Sequence, residues 1–393
     1  MLKNPESKNY GTFPLVLEHK TNGLTFIDTF YTLMKSMIGT GVLYFPKSFY
    51  QGGAIFSAIA CFFVSFTTLL CMKWLSRAHN THGGTYADLA GKAIGKYGEY
   101  SVDFMIFATQ LGPGLIGVGF LITNTSKSLS ALGLDTSDYV LLAIFMALLV
   151  PLSMIKLIKD QAWAYIISDF IIIANLSIIS IYGIYNGGSV DNIDIIKPKT
   201  MFFTLGIIVY GLEGISLILP IKAEMNQAWE FDKLLSYMMT CVTVILVFFG
   251  SINVFAYGSD LEDIVTLNLP DSYWVVGIIL AYVVAIVLSI PLVLHPAFQI
   301  IEKYAKLQGM QIDIMRVLVV MFTVIFGFFA RNSLGLCVSV IGGLFCAPLA
   351  FIYPSLIHIK LNTVNTMDIT VAWTMFFVGL VFGAAAVLSV IIS

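Results

Sequence analysis

Lys35-Ser36-Met37-Ile38-Gly39-Thr40-Gly41-Val42-Leu43-Tyr44-Phe45-Pro46, continued by Lys47 to Gly53, lies inside the first long apolar segment of this chain. The segment is long enough to span a bilayer. Yet it carries a Gly-Thr-Gly triplet, a proline five residues beyond it and a lysine one turn before it. Glycine is poor in a helix interior, and proline removes a backbone donor. In hydrocarbon, freed backbone groups are tolerated only where protein or a wet cavity satisfies them. The stretch therefore reads as a transmembrane helix broken near mid-membrane, its bare N–H and C=O groups aimed at something polar. The competing reading is a Gly/Pro kink used for close helix packing.

The composition around this stretch places it in a membrane. Of 393 residues 58% are hydrophobic and 11% charged, and the mean hydropathy is +0.89. Charged residues so few cannot cover the surface of a soluble domain of this size, so the chain reads as polytopic and all-α. A net charge of −2 gives no reason to expect nucleic acid. Residues 1–28 form a polar tail without the apolar core of a signal peptide. Cys61, Cys71, Cys241, Cys337 and Cys346 all fall in apolar segments without metal-ligand spacing, so neither disulfides nor a metal or other cofactor are expected.

Hydropathy suggests about eleven spans by the usual ~20-residue criterion. They lie near 29–51, 53–75, 101–124, 138–156, 162–185, 201–221, 235–257, 273–298, 315–331, 334–357 and 369–391. With the N-terminus cytosolic, the cytosolic loops and ends hold fifteen lysines and arginines, Lys156 and Lys159 among them. The opposite side holds four, Lys127, Lys197, Lys199 and Arg331. That asymmetry sets the orientation and puts the C-terminus on the luminal or extracellular side. The far side is acidic instead, with Asp135, Asp138, Asp191, Asp194, Asp260, Glu262, Asp263 and Asp271. Asn124-Thr125-Ser126 is a glycosylation sequon there, but it hugs the membrane and is expected to stay unused. On the cytosolic side, Thr85-Tyr86-Ala87-Asp88 suggests a capped short helix lying on the interface.

A second break repeats the grammar of the first. The sixth span holds Tyr210-Gly211-Leu212-Glu213-Gly214-Ile215, with Pro220 near its end. Two Gly/Pro-interrupted spans in corresponding positions point to a transporter's binding site. The offset of five spans is odd, so the second half must be inverted. The expected architecture is a 5+5 inverted repeat, 29–185 and 201–357, with broken helices 1 and 6 and an extra helix at 369–391. Glu213 is costly in hydrocarbon and so reads as functional, in proton handling or contact with a substrate amine. The alternative is a structural acid hydrogen-bonded to a neighbouring helix.

The first stretch, with Lys47-Ser48-Phe49 and Gly52-Gly53, resembles the first-helix motif of the amino acid/auxin permease family. Gly211-Leu212-Glu213-Gly214 with Leu219-Pro220 and Glu224-Met225 is similar to its sixth-helix motif. Ser289-Ile290-Pro291-Leu292 through Pro296 and Glu302 resembles the eighth, and Gly342-Gly343 with Pro348-Leu349-Ala350 and Pro354 the tenth. The nearest branch by resemblance is the fungal vacuolar neutral amino acid transporters, related to animal proton-coupled ones. The resemblance implies the leucine-transporter fold, no enzymatic activity, and alternating access with substrate held between the broken helices. It also implies a vacuolar, lysosomal or plasma membrane location. The animal branch has a histidine in its first helix, whereas this sequence has none between His19 and His79.

A free amino acid presents a carboxylate and an ammonium. Exposed N–H groups at Gly39, Thr40 and Gly41 suit the carboxylate, aided by the helix dipole. Unwound carbonyls at Tyr210 and Gly211 suit the ammonium, and Tyr282 is a candidate wall for the side chain. Such backbone recognition favours small neutral amino acids. Lys35 lies one turn to the cytosolic side of the break, and Asp169 and Ser289 lie at a similar depth in the fifth and eighth spans. In the fold the family resembles, these helices meet where sodium-coupled relatives hold sodium. A Lys35–Asp169 pair there implies sodium-independent transport, with protons as the expected coupling ion, and a cytosolic latch. The reading from a different class is a nutrient-sensing receptor that binds amino acids and signals to a cytosolic partner.

Overall fold

The computed structural model describes residues 23–155, 161–186, 194–270, 272–363 and 365–392. Residues 1–22 of the expected tail lie outside these, as do Lys156, Lys159, Asp191 and Asp271 used above for sidedness.

The first helix begins before the expected end of the tail. The Thr25 hydroxyl accepts the Asp28 N–H and the Asp28 carboxylate accepts the Thr25 N–H, both at 3.2 Å. This reciprocal cap starts α1 (Phe26–Met37). The helix stops where Ile38 turns extended, at φ −89° and ψ 95°. A 3₁₀ turn over Thr40–Tyr44 follows, then α2 (Phe45–Gly52), with Pro46 in its first turn where a missing N–H costs nothing. Gly53, at φ +90°, reverses the chain against Ile195, whose carbonyl oxygen lies 2.5 Å from where a Cβ would sit.

The remaining helices are α3 (Ala54–His82), α4 (Tyr86–Ile94), α5 (Lys96–Ala131), α6 (Asp138–Ser153), α7 (Ala162–Asn186), α8 (Met201–Gly211) and α9 (Ile215–Glu224). After them come α10 (Phe231–Tyr257), α11 (Tyr273–Ala305), α12 (Met310–Ala330), α13 (Leu334–Ile341), α14 (Tyr353–Leu361) and α15 (Thr366–Ile392). Among the described residues, eight stretches are long and apolar enough to cross a membrane. Three places account for the gap from the eleven expected. The first span is interrupted, α6 is short, and Met310–Leu361 is one 52-residue stretch that turns at Arg331–Ser333. The fold is all-helical, as expected.

The two broken helices lie side by side. α1 packs on α9 and α2 on α8, so the broken pair runs antiparallel. α8 meets the segment after α13 almost backbone to backbone, since a Cβ on Gly342 would come 2.0 Å from the Gly206 carbonyl oxygen. Two π-turns, Gly342–Cys346 and Pro348–Ile352, carry the chain past this contact. The α4 cap forms between Thr85 and Asp88 as the sequence suggests. Its apolar face is not left on an interface, however. Tyr86, Ala87, Leu89 and Ala90 are buried, and the Tyr86 hydroxyl donates to the Leu349 carbonyl at 2.6 Å.

Loop contacts sort into two ends. At one, which we call the basic end, the Leu24 N–H donates to Glu224 O at 2.7 Å and the Asn226 N–H to Leu24 O at 2.9 Å. Lys303 there pairs with Glu99 at 2.7 Å and Asp103 at 2.9 Å, and Arg316 pairs with Glu302 at 3.1 Å. Lys222 donates to the Ser76 hydroxyl at 2.8 Å and to the Asn80 amide oxygen at 2.6 Å. At the acidic end, the Lys47 ammonium donates to the Leu261 carbonyl, and Arg331 pairs with Asp138 at 3.1 Å. Asn124 of the sequon is fully buried there and accepts from the Thr266 hydroxyl at 2.9 Å.

Candidate functional site

The two breaks share one small cavity of ≈ 50 Å³. Lys35, Gly39, Thr40 and Gly41 form one side of it, and Tyr210 and Glu213 the next. Gln110, Pro113 and Gly117 of α5 and Ile286, Ser289, Ile290 and Val293 of α11 line it as well, with Ser36 and Met37 of α1.

At the first break, Gly39 has a backbone of φ −134° and ψ −142° and faces open space, for a Cβ there would meet nothing within 4 Å. Gly41 is tight instead, since a Cβ would come 2.7 Å from Cε1 of Tyr210. The breaks therefore touch at Gly41 and part at Gly39. Just before the break, the fully buried Lys35 ammonium donates to the Ile38 carbonyl at 3.3 Å and stands 3.8 Å from Asp169 Oδ1. Both Asp169 oxygens are buried without a hydrogen-bond partner. Ser289 donates to the Ala285 carbonyl at 2.5 Å and lies 3.4 Å from the Ser168 hydroxyl, next to Asp169 in the chain.

At the second break, the Leu212 N–H still reaches Ile208 O at 3.1 Å, and the Glu213 N–H donates to Tyr210 O at 3.2 Å. That occupies one of the two lone pairs of the Tyr210 carbonyl. The Glu213 carboxylate accepts from the Ser216 hydroxyl at 2.7 Å, in the first turn of α9.

Lys35, Gly39, Thr40, Gly41, Tyr210, Glu213 and Ser289 are thus brought together around one space. Gly211, Tyr282 and Asp169 stand one step back. Gly211 packs under Phe45, whose ring would lie 2.3 Å from an added Cβ. Tyr282 is fully buried against Phe120 and donates its hydroxyl to the Gly39 carbonyl at 3.0 Å, so it holds the break from behind. Asp169 reaches the cavity through Lys35. Gln110 was not singled out from the sequence. A lone glutamine nine residues into the span that starts at 101, next to the Gly112-Pro113-Gly114 run, is its only signal.

A second cavity of ≈ 650 Å³ lies at the basic end, with Tyr86, Asp103, Ser216, His295 and Lys303 among its lining residues. Ser216 lines this vestibule and Glu213 lines the central cavity, so their hydrogen bond is part of the wall between the two. The acidic end is covered. Leu261, Val265 and Thr266 are buried there, and the 3₁₀ turn Val265–Asn268 packs on Thr40–Tyr44. His79 and His82 hold loop carbonyls, of Gly84 and Leu361, each at 2.8 Å.

Residues 22–393 match the profile of the family described as "Transmembrane amino acid transporter protein". Vacuolar amino acid transporter 3 of Schizosaccharomyces pombe is 28% identical over 361 residues, covering 88% of this chain and 55% of that protein. Vacuolar amino acid transporter 4 of Saccharomyces cerevisiae is 29% identical over 386 residues, covering 85% of this chain and 52% of its own. The chain therefore spans about half the length of these fungal relatives. Amino acid transporter ANT1 of Arabidopsis thaliana is 26% identical, with 92% and 88% covered. Among solved structures, a Na⁺-coupled sialic acid symporter matches with TM-score 0.61 and 13% identity, over 92% of this chain and 88% of that one. Mhp1, a nucleobase-cation-symport-1 family transporter, matches with TM-score 0.57 and 13% identity, over 96% and 95%. These two likenesses establish the fold alone.

Proposed function

The chain belongs to the transmembrane amino acid transporter family, and from that premise we propose that it carries small neutral amino acids by alternating access. One observation carries the reading. Both helix breaks, five spans apart in the sequence, open onto the same cavity. The N–H groups of Gly39, Thr40 and Gly41 bind the substrate carboxylate, and the carbonyls of the second break accept from its ammonium. The covered acidic end and the vestibule at the basic end support reading this as an inward-facing stage of the cycle. The basic end is cytosolic by its lysine and arginine excess, and the fungal relatives named as vacuolar support a vacuolar membrane.

Lys35 supplies a fixed positive charge at the meeting of α1 and α7, and we read the Lys35–Asp169 contact as a latch that replaces a sodium ion. Glu213, between cavity and vestibule, is our candidate for the coupling proton. The test uses the full chain in proteoliposomes, with labelled alanine and an imposed pH gradient. Uptake should persist when choline replaces sodium. Neutral amino acids should compete, while their methyl esters and N-acetyl derivatives should not. Glu213→Gln should bind substrate and lose the pH dependence of uptake. Absence of flux, strong competition by an ester, or collapse in choline overturns the corresponding part.

A further inference from the structure

The polar groups around the central cavity are not equally occupied. Ser289 donates to Ala285 O, Glu213 accepts from Ser216, and Lys35 is held by Ile38 O and Asp169. Gln110 is different. It lines the cavity and is 2% exposed, and its carboxamide has no hydrogen-bond partner among the described residues. A carboxamide brings two N–H donors and an oxygen with two lone pairs. It opens onto the cavity and no protein group engages it, so its hydrogen bonds are left to water or a ligand. Native proteins seldom keep such a group unless a water or a ligand meets it.

Its position says which part of a ligand that is. Gln110, Pro113 and Gly117 are spaced three and four residues apart, on one face of α5. That face lines the same cavity as the backbone of the first break. Gly117 keeps the wall thin, since a Cβ there would already stand 3.4 Å from Ile290 Cδ1. Ile286 and Ile290 supply apolar surface beside it. An amino acid whose carboxylate and ammonium engage the breaks therefore points its side chain at an apolar strip that ends in an amide.

Resting on the transport reading above, we infer that Gln110 is a specificity-determining residue. It reads a short, neutral, hydrogen-bonding side chain, one that ends in a hydroxyl or a carboxamide. The Lys35 ammonium on the same cavity disfavours cationic side chains.

The test compares side chains of nearly equal shape. Threonine against valine, and asparagine against leucine, compete for labelled alanine uptake into proteoliposomes holding the full chain. In the unaltered protein the polar member of each pair should compete about tenfold better, the scale of one well-made buried hydrogen bond. Gln110→Met keeps the volume and removes the amide. It should bring both ratios to about one, each read against the alanine uptake of the variant itself. Parity of both pairs in the unaltered protein overturns the inference, even if Gln110→Met fails to fold. A preference that survives in Gln110→Met overturns it as well. Absence of alanine uptake in the unaltered protein overturns the transport reading instead, and this inference with it.

Discussion

The first helix break has room beside it, and the second is packed. A Cβ on Gly39 would meet nothing within 4 Å, whereas one on Gly211 would strike the Phe45 ring at 2.3 Å and one on Gly214 the Met37 side chain at 2.8 Å. The same residue type thus does two jobs in breaks that look alike in sequence. At Gly39 its small size leaves space for a ligand. At Gly211 and Gly214 it lets α2 and the end of α1 lie close against the second broken helix. Between them, Gly41 touches Tyr210 and joins the two regions. The difference teaches that matching Gly/Pro patterns locate a shared site without saying which break is the floor of it and which the hinge.

The largest effect expected from this contrast is at the contact point. Gly41→Val should abolish uptake while folded protein stays in the membrane, because a branched side chain meets the Tyr210 ring and fills the space where the breaks converge. Gly211→Ala should fail in the other way. Overpacking against Phe45 is expected to cost about 1–3 kcal/mol of stability, seen as a lower Tm in detergent, while the surviving protein keeps its affinity. A Gly211→Ala variant of full stability and no transport would dissolve the distinction between the two breaks.

Lys35 sharpens the comparison from the side of charge, for among the described residues only the first break has a buried ion pair behind it. Its separation of 3.8 Å is beyond hydrogen-bonding distance, and neither Asp169 oxygen is otherwise satisfied. Such a contact is loose in this arrangement and has room to tighten in another. Lys35→Ala should slow uptake severalfold, and Asp169→Asn should do the same. The double variant should be no worse than either alone, since both remove one interaction. Additive losses in proteoliposome flux would show that the two residues act separately.

What the sequence made legible was chemistry that is local or set by depth. The Gly-Thr-Gly and Gly-Leu-Glu-Gly breaks announce themselves because glycine and proline act on their own backbone. The α4 cap is readable because Thr85 and Asp88 are three residues apart. Lys35 and Asp169 could be matched because both are charges at one depth of an apolar segment. Gln110 could not be found this way, because its importance lies in having no partner, which only the packed neighbours reveal. The tie between Leu24 and Met225, which fixes the start of α1 to the end of α9, was equally hidden. It is made by backbone groups some two hundred residues apart, and backbone groups carry no sequence signature.

The smallest effect expected separates two roles for Tyr282. Read from sequence, it was a wall for the substrate side chain. In the structure its hydroxyl donates to the Gly39 carbonyl at 3.0 Å from outside the cavity, behind the open part of the first break. Tyr282→Phe keeps the ring and its packing on Phe120, and removes only that donor. The freed carbonyl borders the open space beside Gly39, where water can reach it, so the loss should be modest. One net hydrogen bond of about 0.5–1.5 kcal/mol corresponds to a two- to tenfold higher KM for uptake. The order of preference among amino acids and the Tm should stay as they were, because neither the side-chain strip nor the core has changed. If the aromatic ring were instead the wall, Phe would serve as well as Tyr and KM would not move. A changed order of preference with an unchanged KM for alanine would put Tyr282 in contact with the side chain. It would also extend the α11 wall of the site from Ile286 to Tyr282.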